Sequence, residues 1–299
     1  MVIEFTKLQG TMGMEYACRQ GEDEEVARAI YEHYLPRGAD DIIPSGKIGA
    51  VLALADRIDS VAAFISAGIK PSGSGDPYGL RRHAQGVIRI LAEHQMPLRL
   101  DLIGKAAVSA LPPSRRIKEP LSGFLEFFRQ RIESFLDTQG GETDINRAAM
   151  KTSWYDISDL FLRIRVLNEM SGKKELMAAT TIVERTGNII TAAGCEDERA
   201  INEGLLQEPA ERDLFSVFSE NAGEIERLFR EQNYREATAR YARVLSAPLH
   251  HFFEEVMVNV SDERIRSNRL ALLGDINRFF VRNFADLSLL QFERGEYVI

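Results

Sequence analysis

Apolar residues along most of this chain recur at intervals of three and four, the period of a helix with one buried face. Ile48, Val51, Leu52, Ala55, Ile58, Ala62 and Ile65 form the first clear stripe, which the spacing predicts to be core. Asp76-Pro77 reads as an N-cap followed by proline at the first helical position. A second helix is therefore expected from there to about Ala92, burying Leu80, Ala84, Val87, Ile88 and Leu91. Pro112-Pro113 interrupts the pattern, because proline lacks an N–H and restricts the residue before it. Phe124, Phe127, Phe128, Ile132 and Phe135 give a further stripe, closed by Gly140-Gly141. Helical spacing resumes through Leu160, Ile164, Leu167, Leu176, Ile182, Val183 and Ile189-Ile190, and at least four more helices are expected beyond it. Only residues 256–260 alternate as a strand does, and so short a run leaves a strand and a helix end both open. The pattern predicts an all-α fold with no internal repeat or low-complexity tract.

Composition narrows the function classes. With 299 residues, 44% of them hydrophobic, the chain is long enough for two domains. A formal net charge of −8 excludes a protein that coats nucleic acid nonspecifically, since that mode needs many cations to release counterions from phosphates. Any RNA binding must then come from local basic patches. Cys18 and Cys195 have no Cys-x-x-Cys or Cys/His spacing around them, which fits a reduced, cytoplasmic setting. The most apolar run, Ile48 to Ala55, stops at Asp56-Arg57, far short of the ~20 residues that span a bilayer, so a soluble protein with no membrane partner is expected. The amino terminus carries no secretory pattern.

Few residues carry recognisable chemistry. Between positions 264 and 282, Arg264, Arg266, Arg269, Arg278 and Arg282 stand against one acid, Asp275, a local charge of +4 in an acidic chain. Arg266 and Arg269 are three apart and share a helical face, whereas Arg264 and Arg266 do so only if a turn intervenes. Pairing with Asp262, Glu263 or other acids is the competing account. Residues 71–82, PSGSGDPYGLRR, form a loop of small residues before Arg81 and Arg82. Helix amides and a guanidinium fork attract phosphate, but Asp76 as N-cap would occupy those amides and repel it. There is no phosphate-cradling Gly-x-x-x-x-Gly-Lys-Ser/Thr motif, nor the His-Ile-Gly-His and Lys-Met-Ser-Lys-Ser motifs of one synthetase class. Adjacent His250 and His251 point about 100° apart on a helix and do not face one ion.

Three segments carry a family resemblance: Glu4-Phe5 with LQGTMG at residues 8–13, the 71–82 loop, and FFEEVMVNVSDERIRSNRLALL at residues 252–273. They resemble the β subunit of the two-subunit bacterial glycyl-tRNA synthetase. The resemblance implies an HD-like helical domain over residues 1–110, a helical connector over 111–179 and an anticodon-binding helical bundle over 180–299. That bundle is similar to the one in arginyl-tRNA synthetase and begins near Arg185-Thr186-Gly187-Asn188. In the HD superfamily of metal-dependent phosphohydrolases a His, a His-Asp pair and a distant Asp hold a metal. Asp56 in Ala55-Asp56-Arg57-Ile58-Asp59 matches the last position, but the chain has no His-Asp dipeptide and His33 has no ligand partner at useful spacing, so no metal is expected.

What the resemblance implies for function is the tRNA-binding portion of the β subunit, supporting ATP-dependent attachment of glycine by the α subunit. ATP and magnesium would sit on that α subunit, leaving this chain with no cofactor and no catalytic residue. The implied partners are glycine tRNA and the α subunit, in an α2β2 assembly in the cytoplasm. The sequence opens inside a family motif, so the family's amino-terminal half is expected to be absent. Arg264, Arg266, Asn268, Arg269, Arg278, Arg282, Arg81 and Arg82 are the RNA-binding candidates, with most weight on Arg266 and Arg269. The alternatives are an HD-type metal-dependent phosphohydrolase and a non-catalytic helical scaffold.

Overall fold

The protein is described by a computed structural model over residues 5, 8–69, 71, 75–140, 142–194 and 200–291; the motif residue Glu4, the loop residues 72–74, Gly141 and Cys195 lie outside the described residues. These residues form twelve α-helices and no strand. The chain divides into two compact units, residues 1–140 with 155–158 and residues 141–154 with 159–299. The stretch expected as a connector, 111–179, is thus shared between them.

Unit 1 contains α1 (Thr11–Arg19), α2 (Glu24–Glu32), α3 (Lys47–Ser66), α4 (Leu80–Glu93), α5 (Leu100–Ala110) and α6 (Pro120–Thr138). The central helix is α3, against which α2, α4, α5 and α6 pack. Its buried face is Ala50, Ala53, Leu54, Arg57, Ile58, Val61, Ala62 and Ile65. Ile48, Val51 and Leu52 are instead 50, 58 and 42% exposed. The first half of the expected stripe is therefore on the outside, because the neighbours meet α3 along a row of small side chains that a search for large apolar residues passes over. Gly46 has no side chain to cap α3. Glu32 of α2 supplies the carboxylate instead, accepting from Ser45 N (3.1 Å), Ser45 Oγ (2.6 Å) and Gly46 N (3.1 Å).

The helix α4 starts at Leu80, three residues after Pro77. Gly79 before it sits at φ 66°, a left-handed conformation that disfavours a side chain, so the helix does not extend back through the turn. Asp76 still serves its amides, taking Leu80 N at 2.8 Å and Arg81 N at 3.0 Å. The expected buried set, Leu80, Ala84, Val87, Ile88 and Leu91, is buried. Phe124, Phe127, Phe128 and Ile132 of α6 are buried as well.

Unit 2 contains α7 (Thr143–Thr152), most of α8 (Ile157–Met170), α9 (Lys174–Ala192), α10 (Pro209–Arg230), α11 (Tyr234–Glu255) and α12 (Glu263–Asn283). Among the described residues beyond 200 there are three α-helices rather than four or more, because α10 and α11 each run 22 residues; short 3₁₀ turns lie at Glu203–Leu205 and Leu287–Leu289. A hairpin of α10 and α11 packs with α9 and α12 around Phe229, Tyr241, Phe280 and Phe284. Tyr241 Oη donates to Ile276 O at 3.0 Å, which satisfies its only polar group inside this core. Arg163 is also fully buried: it pairs with Asp159 at 2.8 Å and donates to the carbonyls of Ala149, Ser153 and Phe284. Residues 256–260 link α11 and α12 without forming a strand, bending at 258–259, where Val260 N donates to Val258 O at 3.1 Å.

Candidate nucleic-acid interface

The basic segment falls on α12. Asp262 caps it, accepting from Arg264 N at 2.9 Å and Ile265 N at 3.4 Å, so the helix amides already have an anion. From this start the five arginines take different directions and meet different surroundings. Arg264 is exposed in the first turn and, among the described residues, has no ion-pair partner. Arg266 is half-buried, 3.5 Å from Glu263, with its Nε buried and without a hydrogen bond. Arg278 pairs with Asp275 at 2.7 Å, and Arg282 is exposed one turn further along.

Arg269 and Asn268 are placed inside the unit. Arg269 is ion-paired with Glu211 of α10, and both side chains are almost wholly buried, at 5% and 0% exposed. Arg269 Nη1 also donates to Met257 O at 2.7 Å, and Glu211 in turn accepts Gln207 N (2.6 Å) and Glu208 N (2.8 Å) at the start of its own helix. One guanidinium thus ties α12 to both the 256–260 link and α10. Asn268 is buried against the backbone of Asn202: its Oδ1 accepts Asn202 N at 2.7 Å and its Nδ2 donates to Asn202 O at 3.1 Å. The sequence ranks Arg269 among the strongest RNA contacts; the structure makes it a core residue, because the face three residues on from Arg266 turns inward. Helical spacing tells which arginines share a face but not which face is covered.

Other exposed or half-exposed groups lie at the end of α11 and in the link that follows it. Met257 is 72% exposed in the link between α11 and α12, with Asn259 exposed beside it. Arg185 of α9 lies over the ring of Phe253 at 4.4 Å, an arrangement that holds a guanidinium and an aromatic face together. Composition gives no signal for these residues, since an exposed methionine and a half-exposed phenylalanine look like core in a sequence.

Arg81 and Arg82 belong to unit 1, on the first turn of α4. Arg82 is exposed and folds back toward Gly79. His250 is exposed 3.2 Å from Glu254, one helical turn on, and not coupled to His251. His33 and Asp56 border one cleft of unit 1. No group of three or more His, Cys, Asp or Glu side chains among the described residues is arranged to hold a metal ion.

The family model described as "Glycyl-tRNA synthetase beta subunit" matches residues 1–151, half of the chain. The chain belongs to the glycyl-tRNA synthetase β-subunit family. A second model, the "DALR anticodon binding domain", matches residues 181–287, which run from α9 through α12. Among curated relatives, the glycine–tRNA ligase β subunit of Desulforamulus reducens is 37% identical over 297 residues, which is 98% of this chain and 42% of the relative. The corresponding subunits of a Sulfurihydrogenibium species and of Syntrophus aciditrophicus are 36 and 37% identical over 97 and 96% of this chain, and 40 and 41% of their own lengths. The chain therefore spans about two fifths of the β subunits it matches. No helix among the described residues is long and apolar enough to cross a membrane.

Proposed function

We propose that this chain is the tRNA-binding portion of a glycyl-tRNA synthetase β subunit, and that unit 2 receives the anticodon arm of glycine tRNA. The observation that carries this reading is the coincidence of the anticodon-binding-domain match with the α9–α12 bundle, the same bundle that bears the basic stretch. The contact surface is the α11–α12 link and the first turn of α12. Met257 and the Phe253–Arg185 pair offer flat or adaptable surfaces for unstacked bases, Asn259 offers edge hydrogen bonds, and Arg264 and Arg266 meet the backbone. Arg269 and Asn268 hold that surface in place from beneath.

The whole enzyme would attach glycine to its tRNA with ATP and magnesium on an α subunit, in a cytoplasmic α2β2 assembly. The chain would contribute binding and no reacting group. Anisotropy titration of the chain with glycine tRNA, with its own and with an altered anticodon, at two salt concentrations tests the assignment. Tighter binding of the matched anticodon is expected, with Arg264→Ala lowering the salt slope by about 0.7 to 0.9 for every tRNA. Equal affinity for both anticodons, unchanged by Arg264→Ala, would rule the assignment out.

A further inference from the structure

Unit 1 holds a cleft of about 260 Å³ whose walls come from the segment after α2, from α3 and from the start of α4. Six of its residues carry or share charge: His33, Arg37, Asp56, Arg57, Arg82 and His83. Arg57 is built into the wall. Its guanidinium donates to His33 O (2.7 Å), Tyr34 O (2.9 Å), Pro36 O (3.1 Å) and Ala53 O (3.2 Å), which fastens the 33–36 segment to α3. Those carbonyls satisfy the N–H groups of both Nη atoms and carry no charge to neutralise the guanidinium, while the carboxylate of Asp56 lies exposed on the same helix. Arg37 reaches Gln9 O with one nitrogen, at 2.9 Å. Arg82 is exposed and, among the described residues, makes no ion pair or hydrogen bond.

Three arginines and one aspartate thus border the cleft in a chain whose net charge is −8. The Nδ1 atoms of His33 and His83 are buried with no hydrogen-bond partner among the described residues, so both rings stand on the wall with one nitrogen turned away from solvent. Burial, and after it the charge of Arg57, pushes the His83 pKa below its ordinary value, so the ring is neutral near pH 7 and presents one N–H and one lone pair. A metal cation finds three repelling charges here. An anion finds the reverse. The size lies just under the range of about 300 to 1,000 Å³ usual for small-molecule sites, and half-exposed Tyr78 on the wall, stacked on Phe64 at 4.4 Å on one side, has at most its other face for a ring.

The geometry points to this cleft as a binding site for a phosphomonoester of mononucleotide size, with the phosphate between Arg82 and Arg37 and against His83. The phosphate has two possible sources, a free nucleotide or the phosphorylated end of an RNA strand. The site is separate from the anticodon surface assigned to unit 2, and the failure of either assignment leaves the other standing.

Isothermal titration of the whole chain with inorganic phosphate, AMP and adenosine tests it, with Arg82→Ala, Arg82→Lys, Arg37→Ala and the surface control Arg19→Ala. Phosphate and AMP should bind saturably and adenosine should not. Arg82→Ala should weaken AMP by about tenfold or more, as expected for loss of a charge-assisted fork; Arg82→Lys should restore only part, and Arg19→Ala should change nothing. Bound phosphate should also raise the NMR titration midpoint of His83, whose charged neighbours are Arg57 and Asp56 on α3, Arg82 on its own helix and Asp76 before it. A short RNA with a 5′-phosphate binding more tightly than AMP identifies a strand end as the source, and the reverse order identifies a free nucleotide. No saturable binding of phosphate or AMP up to about 10 mM, or binding unaltered by both Arg82→Ala and Arg37→Ala, overturns the proposal.

Discussion

Replacing Glu211 with Ala is the sharpest way to separate support from contact on α12. The substitution removes the carboxylate from a pair in which Arg269 is 5% and Glu211 0% exposed, leaving a guanidinium in the core with Met257 O as its remaining partner among the described residues. It also frees two backbone N–H groups, of Gln207 and Glu208, at the start of α10. Breaking one side of a buried pair costs about 3–5 kcal/mol. For a unit of this size each kcal/mol moves the midpoint by about 2–4 °C, so a drop on the order of 10 °C is expected in the transition of unit 2. Thermal unfolding followed by circular dichroism measures it for Glu211→Ala, Arg269→Ala and the double variant. The double variant should lose less than the sum of the singles, with a coupling of about 1–3 kcal/mol, because the second truncation removes the stranded charge. Below its transition, Arg269→Ala should bind glycine tRNA with the unaltered salt slope. An Arg269→Ala protein that melts within about 1 °C of the parent while losing tRNA affinity would refute the reasoning and return Arg269 to the RNA surface.

Three further outcomes follow from particular contacts. Asn268→Ala should cost about 1–3 kcal/mol, read from chemical denaturation, because it leaves both the N–H and the C=O of Asn202 without their partner. Gly86→Ala should destabilise unit 1 by about 1–3 kcal/mol, since a Cβ there would stand 2.6 Å from Arg57 Nε, and it should weaken AMP binding together with stability. His83 has its pKa lowered by burial, so the unfolded chain takes up its proton first; stability should be full above about pH 6.5 and fall as the pH drops through the folded pKa. A melting series from pH 8 to 5 should therefore slope less steeply in His83→Gln, and an identical slope would remove His83 as the cause.

The elements were legible wherever large apolar side chains alone make the contacts. The face of α4 falls where its spacing puts it, that of α6 does so except at Phe135, which is half-buried while Leu136 is buried, and the all-α class follows from the same period. Where packing uses small residues, the reading inverted: α3 is buried through Ala50 and Ala53 while Ile48, Val51 and Leu52 face outward, because close approach of neighbouring helices favours the side with least bulk. The start of α4 was misplaced for a local reason. An Asp-Pro pair suits a helix start, but the left-handed Gly79 delays it, and Asp76 reaches the same amides from further back. Cleft residues such as His33, Arg37 and His83 were not assembled, since they are far apart in sequence and nothing in their spacing brings them together.

The same limit governs the basic candidates, and it changes how charge should be counted. Net local charge treats each arginine as equal, yet Arg57, Arg163 and Arg269 are buried and bonded to backbone carbonyls, two of them to carboxylates as well. Such groups fasten segments together, and their loss should appear first in stability. Arg82 and Arg264 are exposed without an ion pair among the described residues, so their hydrogen-bonding forks are open to a ligand. The +4 of α12 thus overstates its binding surface, because Arg269 is enclosed and Arg278 is held by Asp275, while the arginines of the unit 1 cleft, unremarkable as a count, border one cavity together with His33 and His83. In a chain of net charge −8, an arginine whose charge is left open can serve an anion site where the fold also supplies a cleft or a second cation beside it. Exposure does not choose the site by itself, since Arg28, Arg147, Arg165 and Arg230 are also exposed without an ion pair among the described residues; Arg82 stands out because it borders the unit 1 cleft and Arg264 because it opens α12 beside the α11–α12 link, and a ligand that measures one should leave the other unaffected.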